Sequence, residues 1–413
     1  MIRRKIALLL IPFFLLCGCS TGEGSETSET TVSEITTSAE TTEETETTVE
    51  TEATEVTTTV TEVSVSETEP SETEEMSRAE LILEGMSTEE KIMQLFVVTP
   101  EQIMGCEKTE YLTAITDEFR DRLSQYPVGG VAIFGGNIVS PEQITEFNAE
   151  FSSRGMFVAV DEEGGDIVRI AGNENFDVPR FLPANEIEDP YEEYTQISEY
   201  LGGYGFNTDF APVTDIAFDD QSVIGNRAFG SDPEEVAEKV SLSVDAFNDS
   251  GILCSLKHFP GHGAASADTH YGFAVLDKTS QELLDAEFIP FRAGIDHNAP
   301  FVMVAHITVP SVTGDLPATL SPEMMSILRD DLGFEGLIIT DSFWMGAITD
   351  SYTSDEAAVM ALKAGADMIL MPDDLDLALE GVRTAVSDGT LTMEELDSKV
   401  LKILETKISY GII

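Results

Sequence analysis

The sequence predicts an α/β protein, a single-domain (β/α)8 TIM barrel, on three observations. Eight short β-rich apolar runs recur along residues 77–413, helix-patterned segments lie between them, and the length of that region is within the usual range for one such barrel. Runs that are apolar throughout, rather than alternating, point to strands buried on both faces, which is the signature of a parallel sheet.

In chain order the expected strands are 93–98 (MQLFVV), 129–134 (GGVAIF), 157–161 (FVAVD), 207–213 (NTDFAPV), 253–258 (LCSLKH), 301–306 (FVMVAH), 336–341 (GLIITD) and 366–371 (ADMILM). The expected helices include 140–153, 232–250, 280–295 and 354–365, several of which open on Ser or Asp with an acidic residue soon after. Such openings satisfy the free N–H groups of a helix's first turn. In a barrel of this kind the working side chains stand at the C-terminal ends of the strands. Asp161, Lys257 with His258, His306 and Asp341 all fall at such ends, so residues distant in sequence are expected to converge on one mouth.

The stretch KHFPGHGAASADTH, residues 257–270, gathers three of the five histidines with a lysine and an aspartate. Pro260, Gly261 and Gly263 stop the strand that precedes them, leaving Lys257 and His258 at its end. Asp268 and His270 follow on the same loop. A carboxylate there can hold one imidazole nitrogen and leave the other for proton transfer. Two other readings stand beside this one: a structural loop, or a metal site built from His258, His262 and His270. The lysine next to His258 argues against a divalent ion.

This run resembles the signature of glycoside hydrolase family 3, in particular its single-domain β-N-acetylglucosaminidases. Three further segments carry the resemblance: DEEGGDIVR (161–169), VIGNRAFG (223–230) and IITDSFWMGAI (338–348). It implies a retaining, exo-acting enzyme that removes terminal β-linked GlcNAc from muropeptides or chitooligosaccharides and needs no cofactor. Asp341 would be the nucleophile, kept ionised by donors such as Lys257, and His270 oriented by Asp268 the acid/base. Asp161, Arg169, Arg227, Lys257 and His258 would bind sugar hydroxyls. Larger family members take the acid/base from a second domain; here it is expected from within the barrel.

Glu162, Glu163 and Asp166 read as a solvated charge run. Asp166 departs from the basic residue common at that position in the subfamily, which bears on the cleft rim. Ser342 follows the nucleophile where the glucosidase branch has Trp, favouring an acetamido sugar, and of two readings for Trp344, stacking on sugar or packing in the core, the core is the one expected. Other family activities, β-glucosidase or GlcNAc phosphorylase, and a non-catalytic lipid-anchored sugar-binding protein are the alternatives.

Residues 1–18 pair Arg3, Arg4 and Lys5 with a short apolar run, the layout of a signal peptide. The run is shorter than the roughly twenty apolar residues a bilayer span needs. Leu16, Cys17, Gly18 and Cys19 resemble a lipobox, which places the lipid on Cys19 and the protein on the extracytoplasmic face of a bacterial membrane. An ordinary cleaved signal is the simpler alternative. Residues 19–76 are rich in Thr, Ser and Glu, with seventeen glutamates and no Lys or Arg. Such a segment buries too little apolar surface to order itself, and is expected to act as a tether averaging about 40 Å end to end. Residues 77–413 then hold sixty acidic against nineteen basic side chains, which makes nucleic acid a poor partner and suits a neutral or cationic substrate better than a polyanion. Cys106 and Cys254 have no spacing that suggests a disulfide framework, and the oligomeric state is left open.

Overall fold

The structure, a computed structural model, describes residues 76–218, 222–265 and 274–413. The expectations for Cys19, the signal, the tether, Asp268 and His270 lie outside the described residues. Ten strands are present in the described chain: β1 (Phe96–Val98), β2 (Gly130–Ala132), β3 (Phe157–Val160), β4 (Thr208–Asp209), β5 (Leu253–Phe259), β6 (Ala274–Val275), β7 (Phe301–Val304), β8 (Ile307–Thr308), β9 (Leu337–Thr340) and β10 (Ile369–Leu370). Eight of them form one parallel sheet in the order β10-β1-β2-β3-β4-β5-β7-β9, while β6 and β8 pair separately. Ile339 bridges in parallel to Met368 just before β10, and the Thr340 and Met368 N–H groups donate to Met368 O and Ile338 O. The ends of the sheet therefore meet, and the chain is a (β/α)8 TIM barrel.

All eight expected runs contain a barrel strand, because continuous apolar stretches can be satisfied only where both strand faces are covered. The first differs at its start. Met93 and Gln94 complete the helix Thr88–Gln94, whose Ser87 and Glu90 cap each other's N–H groups, so the strand begins only at Phe96. Helices Pro141–Ser152 and Pro233–Ser250 match expectation and open on Ser140 and Asp232, whose side chains accept first-turn N–H groups. The expected helix 280–295 is two, Ser280–Leu284 and Phe288–Asp296. Between them Glu287 turns inward, buried against Gly261 and ion-paired with Lys278.

The N-terminal end of the barrel is closed by aromatic rings and by the last helix. Phe157 and Phe301, the first residues of β3 and β7, meet edge to face at 5.3 Å between centroids. Lys407, on helix Met393–Ser409, is buried there with its ammonium 5.0 Å from the Phe157 ring and 2.8 Å from Gln94 Oε1. Desolvation pushes its pKa down from 10.5 to about 7.

An unfolded lysine keeps its proton up to its ordinary value, so between pH 7 and 10.5 the unfolded chain binds more protons than the folded one. The cost of burying Lys407 is therefore fully present below pH 7 and is relieved as pH rises toward 10.5, by up to roughly 5 kcal/mol. Lys407→Met is expected to raise the melting temperature at pH 7 and to narrow that advantage by pH 10. Parallel melting curves for the two proteins across that range would show that Lys407 is not desolvated as described.

Candidate active site

A cavity of about 460 Å³ opens at the C-terminal end of the barrel and is lined by Asp161, Arg169, Arg227, Lys257, His258 and Asp341, among others. The barrel puts them there: Asp161 and Asp341 each directly follow the last residue of β3 and β9, and Lys257 and His258 lie near the end of β5. Consecutive strand residues ordinarily face opposite sides. Here the β5 register shifts between Leu256 and Phe259, and such an irregularity re-aims side chains so that both neighbours reach one space.

Lys257 is the centre of the constellation. It is 2 % exposed, and its ammonium lies 2.9 Å from Asp161 Oδ1 and 2.7 Å from Glu163 Oε1. Burial alone would favour the neutral amine, but the two carboxylates outweigh it and raise the Lys257 pKa, so the ammonium persists. Glu163 is also gripped in two places by Arg227, with Nε to Oε2 at 2.8 Å and Nη2 to Oε1 at 2.7 Å. Burial works to raise the Glu163 pKa, yet Lys257 and Arg227 bring it down to about 2. Asp161 takes a second contact from Arg169 Nη2 at 3.3 Å; against its burial, Lys257 and Arg169 hold it below the usual carboxylate range.

Glu162 and Glu163 are thus not a solvated charge run. Glu162 is fully buried and accepts the backbone N–H groups of Arg169 (2.5 Å), Ile170 (2.9 Å) and Ala171 (2.8 Å) together with the Tyr200 hydroxyl (2.9 Å). That cradle folds residues 163–171 back over the strand end and delivers Arg169 to Asp161. Gly164 and Gly165 make the turn possible with φ of +88° and +56°, values that residues with a Cβ adopt rarely. Only Asp166 of the run is exposed, and it accepts from Asn226 Nδ2 at 3.3 Å, tying this loop to the one bearing Arg227.

His258 is oriented by a residue not singled out in the sequence. Asp215 is 1 % exposed; its Oδ2 lies 2.7 Å from His258 Nδ1 and accepts the His258 N–H, while Oδ1 accepts the His262 N–H at 2.6 Å. Burial raises the Asp215 carboxyl, but the His258 ring more than offsets it and the pKa is lowered. The signal was available: Asp215 follows the expected strand 207–213 by two residues, an acid at a strand end like the others. His262 also lines the cavity, its ring 5.8 Å from that of His258, and burial lowers its pKa with help from His258.

Asp341 is placed by its own N–H, which donates to Val304 O at 2.8 Å, and its Oδ1 accepts the Ser342 N–H at 2.7 Å. The expectation that Lys257 serves Asp341 is corrected: among the described residues its carboxylate partners are Asp161 and Glu163. His306 is not a cavity residue. It is fully buried, with Nδ1 at 2.9 Å from Thr319 Oγ1 and Nε2 at 2.9 Å from Ser342 O, and so braces the turn that holds Asp341. Trp344 is half-buried against the core, as expected, and also lines the cavity, with Nε1 donating to Pro372 O at 3.1 Å.

Three carboxylates (Asp161, Glu163, Asp341) face three fixed cations (Lys257, Arg169, Arg227), so the mouth is close to balanced within a strongly acidic domain. Such a space suits a neutral, hydroxyl-rich ligand. Among the described residues no group of three or more His, Cys, Asp or Glu side chains is arranged to hold a metal ion. Cys106 and Cys254 are free thiols.

The model of the glycosyl hydrolase family 3 N terminal domain matches residues 87–406. A β-hexosaminidase of Nitrosomonas eutropha is 33 % identical over 281 residues, covering 65 % of this chain and 80 % of the relative. The β-hexosaminidase LpqI of Mycobacterium tuberculosis is 31 % identical over 304 residues, covering 69 % and 77 %. Among solved structures, a glycoside hydrolase family 3 β-N-acetylglucosaminidase from Paenibacillus superposes with a TM-score of 0.72 at 30 % identity, covering 79 % of this chain. The chain spans 63 % of that longer protein.

Proposed function

The chain belongs to glycosyl hydrolase family 3 and is a glycoside hydrolase, and from that premise we propose that it is a retaining, exo-acting β-N-acetylglucosaminidase for cell-wall muropeptides or chitooligosaccharides. The relatives named β-hexosaminidase support the sugar, and the Paenibacillus neighbour supports its N-acetylglucosamine form. The observation that carries the reading is the placement of Asp341. Its carboxylate stands at the end of β9 in the same cavity as the balanced cluster around Lys257, fixed at one oxygen by the Ser342 N–H.

In this reading Asp341 attacks the anomeric carbon of a sugar held by Asp161, Arg169, Arg227, Lys257 and His258. The internal ion pairs leave donors for that task. A lysine ammonium has three N–H groups, and two meet carboxylates here; an arginine has five, of which Arg227 gives two to Glu163. Asp215, holding His258 Nδ1, turns Nε2 into the remaining hydrogen-bonding atom of that ring. His270, with Asp268 as its partner, is proposed as the group that protonates the leaving oxygen and then activates water. Anchoring through Cys19 at the extracytoplasmic face belongs to the same proposal and is motivated by the lipobox-like run; it requires that Cys19→Ala no longer partitions with membranes.

A 5-fluoro glycosyl fluoride related to GlcNAc is expected to accumulate a covalent intermediate, with the added sugar located by peptide mass analysis on Asp341. Fully inactivated enzyme with an unmodified Asp341, or normal turnover by Asp341→Ala, would end the proposal. His270→Ala is expected to lose far more rate on substrates with poor leaving groups than on activated aryl glycosides, which depart without much protonation. Equal losses on both would remove His270 from the role of proton donor.

A further inference from the structure

Next to the charged cluster lies an acid to which the chemistry above gives no task. Asp209 is the last residue of β4, the strand between β3 and β5, and it is 0 % exposed. Its Oδ1 accepts the Glu162 N–H at 2.9 Å, and its Oδ2 is buried with no hydrogen-bond partner among the described residues. The cations of the site are committed elsewhere: Lys257 to Asp161 and Glu163, Arg227 to Glu163, and Arg169 to Asp161.

Glu162, joined to Asp209 by that bond, is the internal comparison. It collects four donors, the N–H groups of Arg169, Ile170 and Ala171 and the Tyr200 hydroxyl, which is the setting of a carboxylate. Asp209 has one. A buried carboxylate with a single donor has lost hydration that nothing restores, so the neutral acid is the form this place accommodates. The groups that face it are Glu162 and Asp161 after β3, Cys254 and Lys257 on β5, and Tyr194 and Tyr200 from helix Pro190–Gly203. The Glu162 N–H and the Lys257 charge favour ionisation. Burial first, then the Glu162 and Asp161 charges, outweighs them and raises the Asp209 carboxyl well above its ordinary range.

We propose that Asp209 is a positioning residue held as the neutral acid: it anchors the Glu162 N–H without adding a negative charge near Lys257, and so fixes the 162–171 turn that presents Arg169 to the sugar. The chain of contacts is continuous. Asp209 holds the Glu162 backbone, the Glu162 carboxylate holds the backbone at Arg169, Ile170 and Ala171, and Arg169 Nη2 meets Asp161 at 3.3 Å. An ionised Asp209 would instead compete with Asp161 and Glu163 for the Lys257 ammonium. This inference rests on the reading of the site as a β-N-acetylglucosaminidase.

Infrared difference spectra of the full chain against Asp209→Asn, taken at about pH 8 where ordinary carboxyls are ionised, read the protonation state without any substrate. A protonated-carboxyl C=O band is expected in the parent and missing from the variant. The positioning role is read from KM and kcat on GlcNAc-β-1,4-GlcNAc. Asp209→Ala, which removes the acceptor, is expected to raise KM about three- to tenfold, the scale of one lost hydrogen bond, with kcat changed much less. Asp209→Asn, neutral and of the same shape, should restore the parent KM. Loss of a carboxylate band in place of the carboxyl band overturns the neutral acid, as does an Asp209→Asn defect as large as that of Asp209→Ala. An unchanged KM in Asp209→Ala overturns the positioning role, and where that variant does not fold, Asp209→Asn and the spectra still decide. A parent inactive on the disaccharide overturns the glycosidase reading and the positioning role with it, and the infrared result then stands by itself.

Discussion

The site depends on one buried ammonium. Lys257 is almost without solvent, and removing a charge from water costs several kcal/mol unless opposite charges and hydrogen bonds replace the lost hydration. Asp161 and Glu163 supply that replacement, and in doing so they fix the ends of β3 and β5 relative to one another. Glu163 in turn holds Arg227 at two points, and Asp161 draws in Arg169. Each carboxylate is shared between two cations. The geometry at the mouth is consequently over-determined, a requirement for groups that must meet a rigid sugar ring.

Below this layer lies a second one that the ligand never needs to touch. Glu162 collects three successive backbone N–H groups and the Tyr200 hydroxyl. Its own N–H is taken by Asp209 Oδ1 at 2.9 Å. Asp209 is fully buried; desolvation, together with the Glu162 charge, raises its pKa well above the ordinary value despite that N–H contact. Asp215 likewise serves through His258. After β7, the strand next to β5, His306 braces the Asp341 turn through Ser342 O. The barrel supplies only the convergence of strand ends; these buried polar groups set where each working side chain points.

The barrel was legible in the sequence because fully buried parallel strands must be apolar throughout, and every expected run holds a strand. Boundaries were less so: a capping box at Ser87 and Glu90 extends a helix into the first run, and the inward turn of Glu287 divides a helix that periodicity reads as continuous. Asp161, Arg169, Arg227, Lys257, His258 and Asp341 were legible from strand-end position and motif, and they share one cavity. What sequence could not show was pairing. The run at 161–166 looks solvated because its charges are adjacent, but their partners come from 227 and 257 and from backbone N–H groups, which spacing does not reveal. Tyr111 was missed because nothing local tells a core aromatic from one that lines a cavity, and Trp344, weighed as a sugar-stacking ring but read as core, turns out to touch both.

The shared ammonium makes the sharpest demand on experiment. Unfolding free energies of the parent, Glu163→Gln, Lys257→Met and the double variant form a cycle that reads the coupling directly. Removing Glu163 alone strands Lys257 and Arg227 with too little negative charge, so the account predicts that the double variant is less destabilised than the sum of the singles, by about 1–3 kcal/mol. Additive losses would mean that Lys257 and Glu163 do not depend on each other, and would contradict the account at its centre.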